Sequence, residues 1–177
     1  GIVASASFVS ETGTDASTGI NADDGDDVTT FTFGYDGDGF GGGIVIASND
    51  GDGANTDADG NATLGYDAFG GGIYYSPESI PATISVAYDT TDPETGNDET
   101  DLFIGVDYEV GPGTLSVAWN STEVDGGSDN LDVSGFEVSY SYAVNDGVTV
   151  TPGIFTVEEN DGTNDDSGVL LETTFSF

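Results

Sequence analysis

Apolar and polar residues alternate along most of the chain, and this alternation predicts β-strands rather than helices. In the segment 101–110, for example, Leu102, Ile104 and Val106 fall on one face, whereas Gly105 and Asp107 fall on the other. We therefore expect an all-β fold with ten strands, at about 1–11, 27–35, 40–48, 61–76, 82–90, 101–110, 114–121, 131–143, 148–158 and 167–177.

The connections between these strands alternate between long and short. Four are tight turns rich in Gly, Pro, Asn and Asp, at 36–39, 77–81, 111–113 and 144–147, and five are long acidic segments, at 12–26, 49–60, 91–100, 122–130 and 159–166. Alternate connections of an up-and-down sheet lie at the same end, so the long segments gather at one end and the tight turns at the other. This asymmetry is typical of outer-membrane barrels. The sequence therefore predicts an up-and-down antiparallel transmembrane β-barrel over residues 1–177, as one domain, with ten strands visible that form all or part of it.

The aromatic residues form two groups along these strands. If successive strands alternate in direction, one group lies near the short turns and the other lies toward the long loops. The first comprises Tyr35, Phe40, Tyr75, Tyr108, Tyr140, Tyr142, Phe175 and Phe177, and the second comprises Phe8, Tyr66, Tyr88, Trp119, Phe136 and Phe155. Two such bands predict the aromatic girdles of a membrane barrel. The alternative is that the aromatic side chains cluster at strand ends inside a sandwich core.

The charge of the chain excludes several classes of function. The 177 residues include no Lys, Arg or His and 34 Asp and Glu, which gives a formal net charge of -34. Nothing in the chain can neutralise phosphate, so nucleic acid is excluded as a partner. Without His and Cys there is no His-activated nucleophile and no zinc site of the usual kind. We accordingly expect no enzymatic activity and no tightly bound cofactor.

Several C-terminal segments resemble the outer-membrane porins of marine cyanobacteria. They are GPGTLSVAW at 111–119, YSYAVNDGVTVTPGIFTVEEN at 140–160 and GVLLETTFSF at 168–177, and YYSPESIPATISVAYD at 74–89 is similar as well. The resemblance covers residues 74–177. It implies the barrel portion of an outer-membrane porin, without the N-terminal cell-wall-anchoring domain that such porins usually carry. It also implies a homo-oligomer, by analogy with trimeric porins, that lies in the lipid bilayer of the outer membrane.

Carboxylates on inward-facing positions would give such a porin a negative lumen, and no basic side chain could balance them. The best-placed candidates for lining the pore are Asp107, Glu109, Glu137 and Glu172, with Asp67, Asp89 and Asp132 behind them. Rings of Asp and Glu favour cations. We therefore expect a passive channel for small hydrophilic solutes that prefers cations.

One acidic loop has part of the pattern of a calcium-binding loop. Asp50, Asp52, Asp57 and Asp59, together with Asn55, supply closely spaced oxygen ligands before Gly60, but the closing glutamate of an EF-hand is absent. The pattern predicts weak binding of Ca²⁺ rather than a specific site. Asp and Gly residues that simply form solvated turns are the alternative interpretation.

Two rival interpretations remain open at this point. One is a small barrel with little conductance, whose acidic loops face the environment. The other is a secreted or cell-surface acidic β-sandwich, of the adhesin or surface-layer type and adapted to high salt, in which the same alternation is buried inward. Membrane barrels and sandwiches differ in whether the apolar face is covered by a second sheet.

Overall fold

The computed structural model describes residues 1–9, 28–56, 62–94, 96–125, 131–159 and 165–176. These residues form the ten predicted strands. The strands are β1 (Ile2–Val9), β2 (Val28–Gly37), β3 (Phe40–Thr56), β4 (Ala62–Tyr75), β5 (Ala82–Pro93), β6 (Asp98–Val110), β7 (Gly113–Asp125), β8 (Leu131–Asn145), β9 (Val148–Glu159) and β10 (Asp166–Phe175). Among the described residues, no helix has the length and hydropathy needed to cross a membrane.

All ten strands belong to one antiparallel sheet in which each strand pairs with the next along the chain. This is the up-and-down topology that the alternating connections predict. Within the described ranges, β1 and β10 make no contact with each other, and the sheet is therefore open at both edges.

The short connections lie where the sequence places them, and two of them require glycine. Gly39 and Gly111 have φ angles of 79° and 61°, a conformation that glycine adopts without the steric cost of a side chain. Four long connections are shorter than predicted, because the strands leave only 57–61, 94–97, 126–130 and 160–165 between them. β3 continues through Thr56, with register shifts after Asn49 and Asp52, and β5 and β6 leave only residues 94–97 between them.

The expected alternation of long and short connections is therefore wrong, since 57–61, 126–130 and, most clearly, 94–97 are all shorter than the turn at 76–81. The reason at 94–97 is that Thr90, Thr91 and Thr100 continue the ladder between β5 and β6, and the hydroxyl of Thr100 donates a hydrogen bond to that of Thr90 at 3.3 Å. The loops at 12–26, 126–130 and 160–164 lie in whole or in large part outside the described residues.

The sheet has no hydrophobic core of its own. Among the described residues no hydrophobic side chain is buried, and Val169, Leu171 and Ile73 are 83%, 71% and 68% exposed. A sandwich would cover these side chains with a second sheet, but all the described strands belong to a single sheet. The secreted β-sandwich is therefore wrong for this chain.

The strands are strongly staggered, as they are in a tilted barrel wall. The row of paired residues that starts at Phe40 passes through Tyr75, Ile84, Val106 and Val117 and reaches β8 at Val138. β8 reaches its short turn only at Asn145, seven residues later. From β3 to β8 the distance across the strands is five spacings, about 24 Å, and the shift along the strand is seven residues, about 23 Å. The ratio of the shift to the distance gives a strand tilt of about 44° from the barrel axis. This lies within the range of roughly 35–45° for barrels.

Candidate functional site

The two faces of the sheet differ in chemistry. Directly opposite residues of paired strands lie on the same face, so each row of pairs can be assigned to one face. We call the face that carries Ile104 the apolar face. The row through this residue consists of Ile2, Tyr35, Gly42, Ile73, Val86, Ile104, Trp119 and Phe136. The opposite side is the polar face.

All four carboxylates predicted to line a pore lie on the polar face, and all four are exposed. Asp107 pairs with Ser116, whose hydroxyl donates a hydrogen bond to Oδ1 of Asp107 at 2.6 Å. Glu109 and Glu172 belong to one row, which also contains Thr114, Ser141 and Thr151. Glu137 lies opposite Ala118 and Phe155.

These carboxylates lie at two levels along the barrel axis. Asp107 and Glu109 lie near the short-turn end, four and two residues, respectively, before the turn at Gly111. With the strand tilt included, Asp89, Glu137 and Glu172 lie at one common level, roughly 13–16 Å further toward the long-loop end than Glu109. The polar face thus carries a belt of three acidic side chains on β5, β8 and β10, with a separate acidic pair nearer the short turns.

Two of the three secondary candidates lie on the wrong face. Asp89 is on the polar face, but Asp67 and Asp132 are on the apolar face at the long-loop end. Asp67 pairs with Ser48 and Asp92, and Asp132 pairs with Glu123. Near these strand ends no alternation of apolar residues shows which face a side chain occupies, and only the pairing with neighbouring strands determines it. The prediction that Asp67 and Asp132 lie on the same face as the other candidates is therefore wrong.

A recess next to Asp107 and Glu109 was not evident from the sequence. It measures about 480 Å³, and its polar lining includes Ser76, Glu78, Thr83 and Thr114 as well as both carboxylates. The turn at 76–81 borders the recess, and the backbone N–H of Glu109 donates a hydrogen bond to the carbonyl of Pro81 at 2.8 Å. In the sequence, the recess is indicated only by the length of the turn at 76–81. This turn places Glu78 in the same lining as Asp107 and Glu109.

The polar face is unevenly charged. Over β3, β4 and β5 a recess of about 680 Å³ is lined on this face by small residues, among them Val45, Ala47, Ala68, Gly70 and Ala87. From β6 to β10 the same face carries Asp101, Asp107, Glu109, Glu137 and Glu172. Phe103, Phe155 and Leu170 are apolar exceptions on the acidic part. Asp89 of β5 also lines the recess and is the acidic exception on the small-residue part. The other acidic residues named here lie on β6 to β10.

Aromatic side chains are concentrated on the apolar face. Every described member of the short-turn group lies there, namely Tyr35, Phe40, Tyr75, Tyr108, Tyr140, Tyr142 and Phe175, whereas Phe177 lies outside the described residues. In the long-loop group Phe8, Tyr88, Trp119 and Phe136 are on the apolar face, but Tyr66 and Phe155 are on the polar face. Between the two aromatic rows the apolar face carries no acidic residue in the described part of the chain.

Acidic residues return to the apolar face beyond the second aromatic row. Asp98 lies beside Asp92 and directly opposite Asp125. The neighbouring negative charge of Asp92 is the largest cause that raises the pKa of Asp98 above its ordinary value of 3.8, and partial desolvation, a hydrogen bond with Asp92 and the charge of Asp125 add to it. This end of the sheet is a site of like-charge repulsion.

The calcium prediction falls mostly outside the described structure. Asp57 and Asp59 lie outside the described residues. Asp50 and Asp52 belong to β3, and the structure describes only their backbone. Within the residues whose side chains are described, no group of three or more acidic side chains is arranged to hold a metal ion. Weak Ca²⁺ binding by this loop stays a prediction.

Comparison with solved structures identifies the fold. The sheet is similar to a structure described as OmpT, in-vitro folded, an outer membrane protein of Vibrio cholerae in its trimer form. The TM-score is 0.59 at 12% sequence identity, and the match covers 84% of this chain and 54% of that one. This chain therefore spans about half the length of that protein, and its ten strands have the architecture of an outer-membrane barrel wall.

Comparison of sequences identifies the family. No relative was found among curated protein sequences. A family model described as Gram-negative porin matches residues 2–171, nearly the whole chain. The apolar face with its two aromatic rows, the tilted strands and the polar opposite face are consistent with this family. The chain is an outer-membrane protein and belongs to the Gram-negative porin family.

Proposed function

We propose that this chain forms the wall of a passive outer-membrane channel for small hydrophilic solutes and that the polar face lines its lumen. The segregation of charge between the two faces supports this most directly. The four candidate pore-lining carboxylates of β6, β8 and β10, Asp107, Glu109, Glu137 and Glu172, lie on one face. The opposite face of the same strands carries no acidic residue between the aromatic rows in the described part of the chain. Outer-membrane barrels place apolar side chains against lipid and polar ones inside. The role requires no catalytic group.

We further propose that the channel prefers cations. Asp107 and Glu109 form a negative pair near the short-turn mouth, and Asp89, Glu137 and Glu172 form a belt above it. The full sequence contains no Lys, Arg or His to balance them. Carboxylate rings attract cations and repel anions in a narrow passage.

The test is the reversal potential of the folded protein in a planar bilayer that separates concentrated from dilute KCl. In a cation-preferring channel K⁺ crosses from the concentrated to the dilute side faster than Cl⁻ does, so the dilute side becomes positive. An anion-preferring sign would overturn the proposed selectivity and leave the channel itself standing. Glu158, next to a polar-face glutamate but itself on the apolar face, offers the control variant Glu158→Gln.

A barrel with little conductance is the second candidate, and the number of strands favours it. About eight strands are filled by their own side chains, whereas open aqueous channels belong to barrels of about 16–18 strands. A closed barrel of only the ten described strands would be narrow. Single-channel recording separates the two functions, because the second predicts a folded, inserted protein without resolvable current steps.

We also propose that the protein is a homo-oligomer and that it is related to the porins of marine cyanobacteria. The trimer form named for the similar Vibrio cholerae structure supports the first proposal. The C-terminal segments described above support the second. Mild electrophoresis without boiling would show whether the folded protein migrates as a single copy or as a larger assembly.

A further inference from the structure

A groove crosses the apolar face of β2, β3, β4 and β5, and we call it the glycine groove. Its floor is the backbone at Gly42 and Gly71, the two positions in adjacent rows that have no side chain. Its volume is about 540 Å³. One wall consists of Tyr35, Ile44 and Phe69, and the other consists of Phe40, Ile73 and Tyr88.

Each wall has an isoleucine between two aromatic rings, and the rings face one another at the two ends of the groove. The ring centroids of Tyr35 and Phe40 are 5.0 Å apart at the short-turn end, and those of Phe69 and Tyr88 are 6.5 Å apart at the other. Ile73 is 68% exposed, so the middle of the groove is open to its surroundings. The lining therefore offers carbon surface on both sides and at both ends.

The groove runs parallel to the barrel axis. Gly71 lies one strand across from Gly42 and two residues further toward the long loops. This step is about 4.8 Å across and about 6.6 Å along the strand, which makes about 36° with the strand direction. The axis lies about 44° from the strands, on the same side. The groove is consequently aligned within about 10° of the membrane normal, the mean direction of a lipid acyl chain.

The level of the groove assigns it to one leaflet. Tyr35 and Phe40 belong to the aromatic row near the short turns, and short turns of outer-membrane barrels are periplasmic. From Tyr35 to Phe69 there are two such diagonal steps, about 16 Å in all. This is close to half of a hydrocarbon core of about 30 Å. The periplasmic leaflet of the outer membrane consists of phospholipid.

We propose that the glycine groove is a binding site for one acyl chain of a phospholipid from the periplasmic leaflet. The chain lies over Gly42 and Gly71 between Ile44 and Ile73, with its headgroup near Tyr35. If the groove were empty within the hydrocarbon layer, the side chains of both walls would lack partners for dispersion attraction, and an acyl chain supplies these contacts. The proposal depends on the outer-membrane location and not on conductance, so it stands or falls separately from the channel function.

The test measures how many phospholipid molecules the folded protein retains in detergent, by native mass spectrometry with added dipalmitoyl phosphatidylethanolamine. We expect one molecule per chain to bind before any others. Gly71→Leu fills the groove, and a Cβ at this position meets Ile44 at 3.2 Å and the carbonyl of Gly43 at 3.1 Å, contacts that small shifts relieve. A Cβ at Gly42 would meet a backbone oxygen at 2.5 Å, so that position is unsuitable.

We expect Gly71→Leu to weaken retention of this first lipid by about tenfold, the effect of withdrawing about two methylene groups from apolar contact. Two wall truncations that create no clash, Ile44→Ala and Tyr88→Ala, should weaken it as well. Matched controls come from β6, where Ile104 is 41% exposed against 44% for Ile44, and Tyr108 is 42% exposed, as is Tyr88. Ile104→Ala and Tyr108→Ala should leave retention unchanged.

Two results would overturn the proposal. One is equal retention by the wild type, the groove variants and the controls, which would mean that lipid covers the whole apolar face without preference. The other is a change of oligomeric state in Gly71→Leu with lipid retention unaltered, which would mean that a second copy of the chain occupies the groove.

Discussion

Glu109 and Glu172 lie in the same row of the polar face although four strand spacings separate them, and hydroxyl side chains from Thr114, Ser141 and Thr151 fill the positions between them. Because the strands are tilted, this shared row places the two glutamates at different depths along the axis. In the proposed channel a permeating ion would therefore pass them in succession, Glu109 near the short-turn mouth and Glu172 within the belt.

Neutralising either glutamate should reduce the preference for cations. We expect Glu109→Gln and Glu172→Gln each to shift the reversal potential in a KCl gradient toward zero, and the double variant to shift it further, because two separate levels contribute. Glu158→Gln, on the apolar face, should leave the potential unchanged. A shift of equal size in this control would indicate that total charge, and not the lining of the lumen, sets the selectivity.

The acidic row at the long-loop end predicts a pH dependence of stability. Asp92 and Asp125 raise the pKa of Asp98 in the folded state, so ionisation of Asp98 opposes folding. The stabilisation from its protonated form is fully present below the ordinary value of 3.8 and is lost as the pH rises through the higher folded pKa. Asp98→Asn should therefore raise the melting temperature at pH 7 and have little effect near pH 3.

The matched control for this prediction is Asp146→Asn, an exposed aspartate in the short turn between β8 and β9. It should change the melting temperature by the same small amount, if any, at both pH values. A profile for Asp98→Asn that runs parallel to that of the wild type from pH 3 to pH 7 would contradict the repulsion between Asp92, Asp98 and Asp125.

Salt and calcium should stabilise the fold. The chain carries a formal net charge of -34, and the Debye length falls from about 10 Å at 0.1 M salt to about 3 Å at 1 M. We expect the melting temperature to rise between these concentrations. Millimolar Ca²⁺ should raise it further if Asp50, Asp52, Asp57 and Asp59 bind the ion, and replacing these four by Asn should remove the calcium increment alone. Melting curves that respond to neither addition would contradict this.

The sequence predicted the strands, and it predicted the faces of Asp107, Glu137 and Glu172 because apolar residues flank each of these carboxylates or alternate with them. Phe103 and Leu170 interrupt the alternation on the polar face. Val106 and Asp107 differ in polarity at adjacent positions, as do Leu171 and Glu172. Because successive side chains of a strand point to opposite faces, this alternation is enough to assign each residue to a face. The predicted end of β3 at 48 is wrong, because the Asp, Asn and Gly residues that follow it are typical of a loop. In the structure, Asp52 and Thr56 still pair with β4 across register shifts.

Features that depend on register between strands were beyond the sequence. The glycine groove exists because Gly42 pairs with Ile73 and Gly71 pairs with Ile44. This register places the two positions without a side chain diagonally next to each other on β3 and β4. The runs Gly41–Gly43 and Gly70–Gly72 have no alternation from which a face could be read. The same limit explains the wrong face for Asp67, which follows Tyr66 near the end of β4 where no apolar pattern fixes the parity.

The turn between β2 and β3 provides a test of local backbone conformation. Gly39 has a φ of 79°, and a Cβ there would also meet the carbonyl oxygen of Ser76 at 2.8 Å. Gly111 has a φ of 61°, but the nearest atom to its Cβ would be the hydroxyl oxygen of Tyr140 at 3.9 Å. Both alanine variants carry the cost of a left-handed backbone, about 1 kcal/mol, and only Gly39→Ala adds a steric conflict with backbone.

We therefore expect Gly39→Ala to destabilise the folded protein more than Gly111→Ala does. The measurement is the urea midpoint of unfolding from phospholipid vesicles, followed by the fluorescence of Trp119, which lies on β7 away from both turns. Equal midpoints for the two variants would mean that the carbonyl of Ser76 moves aside without cost and that its hydrogen-bonded position, held by donation from the Ser76 N–H to the Gly39 carbonyl, is not rigid. A larger loss in Gly111→Ala would contradict the assignment of a close approach at Gly39.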